Sequence, residues 1–483
     1  MSGKRSKELT KVLSDIVGPQ FVRSDDADKL AYSFDLYWVR HLWLDRGHLP
    51  PNPDVIVWPE SVEEIQQILK FANEECIPVI PYGGGTASQG ATLPISGGII
   101  LDLKRLNKVT EIDLKSYTVN SQTGINGFDL ESALNKHGLT LAHYPASQRG
   151  ATLGGYLAAR GSGTLSTKYG KAEEMVMSLE IVLPQGKILK TLPVPHHASG
   201  PDLTQLFVGS EGTLGVITEA KMRVDPLPEI RRFHSFLFRD LHSAMEAGRK
   251  IMLSRIKPCV IRLYDEISST RVVESVLGLK VKGAYMILGF DGPRKLVEAE
   301  ESIGFQIVKE LGGEDLGSKA GERWWEHRYD FYFPPHMFAL PWMHGTPDTV
   351  TTFDKIEDLY QEKHDVLTEK YASWDLIHHA HFSHWFPWGV MMYDRFVIED
   401  PPQDPEEAQA LHDQIWDDAV RISLKYNGVL NEHHGIGIKL GYLMPEQYGD
   451  GFEALLAIKD ALDPNGIMNP GKLGFPNKIM KKE

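Results

Sequence analysis

A chain of 483 residues is too long for one ordinary core and suits two domains of about 150 to 250 residues each. Hydrophobic residues make up 42% and charged residues 24%, a globular balance, and the formal charge of −14 argues against a binder of nucleic-acid phosphates, which would carry a basic stripe this chain lacks. With Cys76 and Cys259 as the only cysteines, neither a disulfide framework nor a thiolate zinc or iron–sulfur site can be built, so a metal would need His and carboxylate ligands.

The opening stretch MSGKRSKELTKVLSDIVG is charged and amphipathic rather than secretory, and no run of about 18 apolar residues follows, so a cytoplasmic protein without a transmembrane segment is expected. From Pro53 an α/β unit begins. Asp54 to Trp58 reads as a short apolar strand. Ser61 and Glu64 make a capping-box pattern before a helix with Val62, Ile65, Ile68, Leu69 and Ala72 at helical spacing. Pro78 to Tyr82 is a second strand, entering the loop YGGGTASQG. Further strands are predicted at Gly98 to Leu103, Tyr117 to Gln122, Ser178 to Leu183 and Val216 to Thr218, and Pro226 and Pro228 mark a linker.

Beyond residue 229 aromatics crowd one stretch, with Trp324, Trp325, Tyr329, Phe331, Tyr332, Phe333, Phe338 and Trp342. Residues 378 to 388, HHAHFSHWFPW, crowd another, and both suggest a pocket-forming domain. The domains expected are an N-terminal helical segment 1–50, a first domain 51–228, a cap or substrate domain 229–430, and a C-terminal segment 431–483.

The loop from Tyr82 to Gly90 places three glycines and two hydroxyls after a strand, so successive backbone N–H groups can converge on an anion. It lacks both the P-loop ending and the G-x-G-x-x-G fingerprint, and a glycine triplet alone is more often a tight turn. Two more passages rich in small residues, 145–170 and 209–219, suit an extended dinucleotide better than three unrelated turns.

The strings PYGGGTASQG, TLGGYLAARGSG followed by KYG, and GSEGTLGVITEA resemble the FAD-binding domain of the vanillyl-alcohol oxidase and p-cresol methylhydroxylase superfamily. Within it, the chain is most similar to the branch of D-lactate dehydrogenase, the glycolate oxidase flavin subunit and alkylglycerone-phosphate synthase. The resemblance implies an α+β fold: a two-part PCMH-type FAD-binding domain, a cap domain on an antiparallel sheet, and a C-terminal segment returning to the flavin side. It implies that Gly83, Gly84, Gly85, Thr86 and Gly90 hold the pyrophosphate of FAD, with Tyr82, Ala87 and Gln89 of the same loop also on the cofactor. It implies also that Pro145, Ala146, Ser147, Thr152, Gly154, Gly155, Gly161, Ser162, Gly163 and Tyr169 line the remaining path, although several relatives carry Asp where Ala146 stands. Glu211, Gly212, Gly215, Val216 and Ile217 are expected near the ribityl chain and adenine.

Oxidising an alcohol on flavin needs a base for the hydroxyl proton, and histidine suits with a reference pKa of about 6.5. By resemblance His434 takes the place of the family's active-site histidine, while His433 follows the synthase pattern rather than the dehydrogenase pattern. The bland alternative is that both imidazoles satisfy buried backbone groups. Arg262 matches a synthase arginine and could hold an anionic substrate or serve as a structural ion pair. Tyr393 lies where the synthase carries a catalytic tyrosine, though a lone aromatic is more often core.

His378, His379, His381 and His384 invite a divalent metal, assigned here to His381 and His384, but the Gly-Asp-Gly-Asn core of the lactate-type motif is missing. In a regular strand His379, His381 and Ser383 face one way and His378 and His384 the other.

The expected function is an FAD-dependent dehydrogenase or oxidase acting on a CH–OH group of a 2-hydroxy acid or larger alcohol. The electron acceptor would be a protein, a quinone or oxygen, and the assembly a homodimer or a subunit of a redox complex. Two alternatives stand beside it: a synthase-like flavin transferase without net redox change, and a flavin electron-relay subunit of a larger complex. The ending Lys481-Lys482-Glu483 is no peroxisomal address.

Overall fold

The computed structural model describes residues 2–332 and 339–479, and Phe333 and Phe338 of the aromatic stretch lie outside them. The chain forms two compact units. The first comprises residues 1–161, 171–226 and 433–483; the second comprises 162–170 and 227–432.

In the first unit, α1 (Ser2–Val17) precedes β1 (Val22–Arg23) and β2 (Val55–Val57), then α2 (Val62–Glu74), β3 (Val79–Tyr82) and β4 (Ile99–Asp102). These strands make a sheet in the order β1-β2-β4-β3, with β2 and β3 parallel to β4. Every residue of β2 and β4 is buried, as a strand covered on both faces requires, which explains their unbroken apolar runs. The Ser61 hydroxyl accepts from the Glu64 N–H and caps α2, but the Glu64 carboxylate accepts from Glu60 rather than from Ser61. Only half of the predicted capping box forms.

The N-terminal segment is no separate element: Leu9, Leu13 and Val17 of α1 enter the same core as Ile65, Leu69, Ile99 and Leu101. A second sheet follows from β5 (Val109–Asp113), β6 (Thr118–Gln122), β7 (Val176–Val182), β8 (Ile188–Lys190) and β9 (Val216–Arg223), ordered β5-β6-β9-β7-β8. Strand β9 runs five residues past its predicted end at Thr218, with alternating burial toward Arg223. The C-terminal segment joins this unit by pairing with β3: Val79 N–H donates to Ile467, and Asn469 N–H to Val79.

The second unit is built on an eight-stranded sheet. Its elements are β10 (Ile230–Phe238), α3 (Leu241–Leu253), β11 (Val260–Tyr264), β12 (Ala284–Gly292), α4 (Arg294–Glu310), β13 (Glu314–Gly317), α5 (Ser318–Glu326), β14 (Met343–Gly345), β15 (Thr349–Thr352), α6 (Ile356–Lys370), β16 (Ile377–Phe386), β17 (Gly389–Ile398) and α7 (Pro405–Lys425). The strand order is β13-β10-β12-β11-β16-β17-β14, with β15 also on β17, and all of its pairings are antiparallel. Alternation divides the faces. Ile261, Leu263, Ala380, Phe382, Val390 and Met392 join α3, α4 and α6 in one apolar core, so Arg262, His379, His381, Tyr393 and Arg395 project from the opposite face.

Residues 162–170 belong to this unit, not to the first, as the sequence had suggested. The cause is Asp291 of β12, a fully buried carboxylate that accepts from the Tyr169 hydroxyl at 2.9 Å, from Lys168 Nζ at 2.7 Å and from Arg231 Nε at 3.0 Å. A buried carboxylate left without those donors would be costly, so the segment is held where they reach it.

Candidate active site

Strand β3 delivers Tyr82 to the loop 83–90. A Cβ on Gly84 would lie 1.9 Å from the Gly150 carbonyl oxygen, and one on Gly83 would lie 2.3 Å from Thr152 Oγ1. The loop therefore lies directly on residues 150–152, a contact that only glycine permits. Thr152 Oγ1 accepts the Gly155 N–H at 3.3 Å and starts the short helix Leu153–Ala158, while Gly154 packs on Thr123. The turn 145–148 closes through Gln148 N–H to Pro145 O, and Ala146 offers no polar side chain there.

Among the described residues, none of the five N–H groups from Gly84 to Ser88 donates to another protein group. Gln89 is 1% exposed, and neither atom of its amide has a protein partner; the Ser88 hydroxyl is likewise unpartnered. Buried polar groups without partners are rare. Consecutive free amides beside a buried carboxamide and a hydroxyl fit a diphosphate, so these residues are the ones that would hold the FAD pyrophosphate.

The second half of the cofactor expectation falls differently. Val216 and Ile217 are buried in β9, Val216 within the core of the unit, and Gly212 abuts Pro81. Glu211 carries its carboxylate to the turn after His434, where it accepts from Ile436 N–H at 2.5 Å and from Gly437 N–H at 2.9 Å. A Cβ on Gly437 would lie 1.9 Å from the Gln89 carbonyl, which itself accepts from Ile438 at 3.0 Å. The turn bearing His433 and His434, whose ring centroids are 4.0 Å apart, is thus clasped by two of the three glycine-rich passages.

Burial pushes Glu211 up to about 7, against the two amide bonds and the nearby Lys472 ammonium, which lower it. Burial likewise raises Asp35 to about 6 and lowers Lys472 to about 8, with Asp35 and Glu211 opposing the shift on Lys472. Gly161 packs on the Tyr156 backbone in the first unit, whereas Ser162, Gly163 and Tyr169 lie in the second.

In the second unit β11, β16 and β17 bring a polar cluster together. Arg262 Nη1 donates to the Tyr332 hydroxyl at 2.5 Å and to His381 Nε2 at 2.9 Å, while its Nε has no partner among the described residues. Because a guanidinium has no acceptor, His381 Nε2 presents its lone pair and the ring proton sits on Nδ1. Burial, then Arg262 and Arg395, hold His381 well below its ordinary pKa, so the ring is neutral. Tyr393 stacks on His381 at 4.6 Å, and burial raises its phenol to about 12 although Arg395 opposes this. The Arg395 guanidinium lies 5.4 Å from the Tyr332 ring and 5.3 Å from that of Tyr393. Tyr264, Tyr332, His379, His381 and Arg395 line a small cavity.

Arg395 and His379 were not singled out as substrate-binding residues from sequence, yet both stand two residues from a nominated one, on the same strand face. The expected alternation along β16 fails at its end. The register shifts between Ser383 and Trp385, and His384 sits in a bulge at φ 49° with Nδ1 3.3 Å from Glu432 Oε2. The two nominated metal ligands therefore have different surroundings: His381 Nε2 meets a guanidinium, which opposes a cation, whereas His384 meets a carboxylate.

A flavin cradle in one unit and a helix-backed antiparallel sheet carrying a cationic, phenolic cluster in the other define an FAD-binding protein of the PCMH type. The chain belongs to the FAD-linked oxidases: their FAD binding domain matches residues 53–192, and the FAD linked oxidases C-terminal domain matches 227–473. FAD is its cofactor. Alkyldihydroxyacetonephosphate synthase of Trypanosoma brucei brucei is 31% identical over 99% of this chain and 81% of its own. The mitochondrial D-lactate dehydrogenase [cytochrome] of Arabidopsis thaliana is 30% identical over 88% and 74%, and the glycolate oxidase subunit GlcD of Bacillus subtilis 28% over 97% of both. Among solved structures, an alkyldihydroxyacetonephosphate synthase superposes with a TM-score of 0.81 at 27% identity over 96% of this chain and 85% of that one. A p-cresol methylhydroxylase shares the fold, with a TM-score of 0.76 at 18% identity over 98% and 97%. No helix among the described residues is long and apolar enough to cross a membrane.

Proposed function

We propose that this FAD-linked enzyme oxidises the CH–OH group of a substrate that carries an anionic group, a 2-hydroxy acid or a larger alcohol of that kind. The observation that carries the reading is the buried Arg262, whose Nε has no partner among the described residues, on the same sheet face as Tyr393 and Arg395 and bonded to the Tyr332 hydroxyl. A buried guanidinium with spare donors beside a second one suits a carboxylate or phosphate, which both can bind with charge-assisted hydrogen bonds. His434 accepts the hydroxyl proton as the carbonyl forms. FAD, when bound, supplies the two-electron acceptor for the hydride leaving the substrate carbon. A protein, a quinone or oxygen then takes the electrons.

General-base catalysis is worth about a hundred- to ten-thousand-fold in rate. His434→Ala is expected to slow anaerobic flavin reduction by that factor with FAD content intact; full-speed reduction in this variant refutes the assignment.

A second reading, a synthase-like transferase without net redox change, is favoured by the His433–His434 pair and by Tyr393 beside Arg395. It differs in one observable: its flavin ends each turnover oxidised even without an electron acceptor.

A further inference from the structure

Glu211 belongs to a glycine-rich passage expected to line the cofactor, yet its side chain is spent on protein. Its carboxylate is buried, accepts from two successive backbone N–H groups, Ile436 at 2.5 Å and Gly437 at 2.9 Å, and lies where a Cβ on Gly435 would come within 2.5 Å of Oε1. The backbone of Glu211 is fixed as well. Its carbonyl accepts from Asn469 Nδ2 at 2.7 Å, its N–H donates to Ala158 at 3.0 Å, and its φ of 49° is a left-handed value that a non-glycine residue adopts only where surrounding contacts impose it. Gln89 grips the same turn through its carbonyl. Residues 435–437 therefore have a rigid anchor, and His434 immediately precedes them.

We propose that Glu211 is a positioning residue, a latch on the turn 435–437 that sets the orientation of the His434 imidazole. The assignment rests on the reading of His434 as the proton acceptor. The latch is strongest as a carboxylate, because both groups it faces are donors: Oε1 accepts from Ile436 at 2.5 Å and from Gly437 at 3.2 Å, and Oε2 from Gly437 at 2.9 Å. Protonation of Oε2 weakens its bond from Gly437 and leaves Oε1 to accept from both amides without its charge. The charged groups that bear on Glu211 are Lys472, which favours the carboxylate, and Asp35, which disfavours it; Arg40 bears in turn on Lys472.

The test is hydrogen–deuterium exchange on the FAD-loaded full chain, reading the peptide 433–438 against an internal reference peptide in β9. Bonds to a charged acceptor predict that Glu211→Ala speeds exchange at Ile436 and Gly437 by about ten- to a hundred-fold while the reference is unchanged. Glu211→Gln keeps one uncharged acceptor, so its protection factor should lie between those of the native protein and Glu211→Ala. Glu211→Gln should lower kcat with KM little changed. If Glu211→Ala fails to fold, Glu211→Gln alone carries the test. Native protection in either variant overturns the latch. Should His434→Ala reduce flavin at full speed while Glu211→Ala frees the turn, the role of His434 fails and Glu211 stands as the anchor of the turn.

Discussion

Replacing Gly84 by alanine probes the cradle most sharply. The new Cβ would lie 1.9 Å from Gly150 O, 2.7 Å from its carbonyl carbon and 3.0 Å from Ala151 Cα, all backbone atoms that no rotamer change can clear. A carbon–oxygen contact needs more than about 3 Å, so the loop 83–90 and the turn at 150 must separate by about 1 Å or more. Overpacking of this kind costs about 1 to 3 kcal/mol. If the strain falls on the FAD-bound arrangement, the affinity for FAD weakens by about five- to a hundred-and-fifty-fold. Titrating FAD into the apoprotein, read by flavin fluorescence, measures this directly. Gly451→Ala is the control, since its Cβ would meet only Tyr448 at 3.8 Å. FAD binding by Gly84→Ala within about twofold of native would refute the contact-based argument.

Other outcomes follow from the charged groups. Glu211 is raised from 4.5 to about 7, so the folded chain holds a proton the unfolded chain has released, and stability falls as pH rises across that window, by about 3 kcal/mol. Chemical denaturation at several pH values should show a shallower slope for Glu211→Gln; an unchanged slope contradicts the shift. Arg262→Met removes the charge-assisted contact offered to the substrate anion and should lower kcat/KM by about a hundred-fold with FAD content unchanged, whereas native kcat/KM with an anionic substrate removes Arg262 from the site. His381→Ala should leave any bound divalent metal in place, because its Nε2 faces Arg262; elemental analysis showing metal lost in that variant places a ligand where this geometry has none.

Much of this was legible in the sequence because it is local. The unbroken apolar runs of β2 and β4, the glycine triplet after β3 and the hydroxyl cap at Ser61 each follow from neighbouring residues. What escaped depends on partners distant in sequence. Glu211 read as cofactor lining because its string is rich in small residues, and nothing near it announces amides 225 and 226 residues away. Tyr169 read the same way, but Asp291, 122 residues on, claims its hydroxyl. The parity of β16 held through Ser383 and broke at His384, since a bulge inserts one residue that alternation cannot foresee. Arg395 was within reach: two positions after Tyr393 on a strand, it had to share that face.

The most direct measurement of the central claim is the flavin absorbance of the purified, FAD-loaded protein mixed anaerobically with a panel of 2-hydroxy acids and of larger alcohols bearing a carboxylate or phosphate. Oxidation of a CH–OH group predicts bleaching of the oxidised flavin band by at least one anionic member, and little or none by its uncharged analogue. A flavin that stays oxidised with every member, in protein shown to be folded and loaded, contradicts the account.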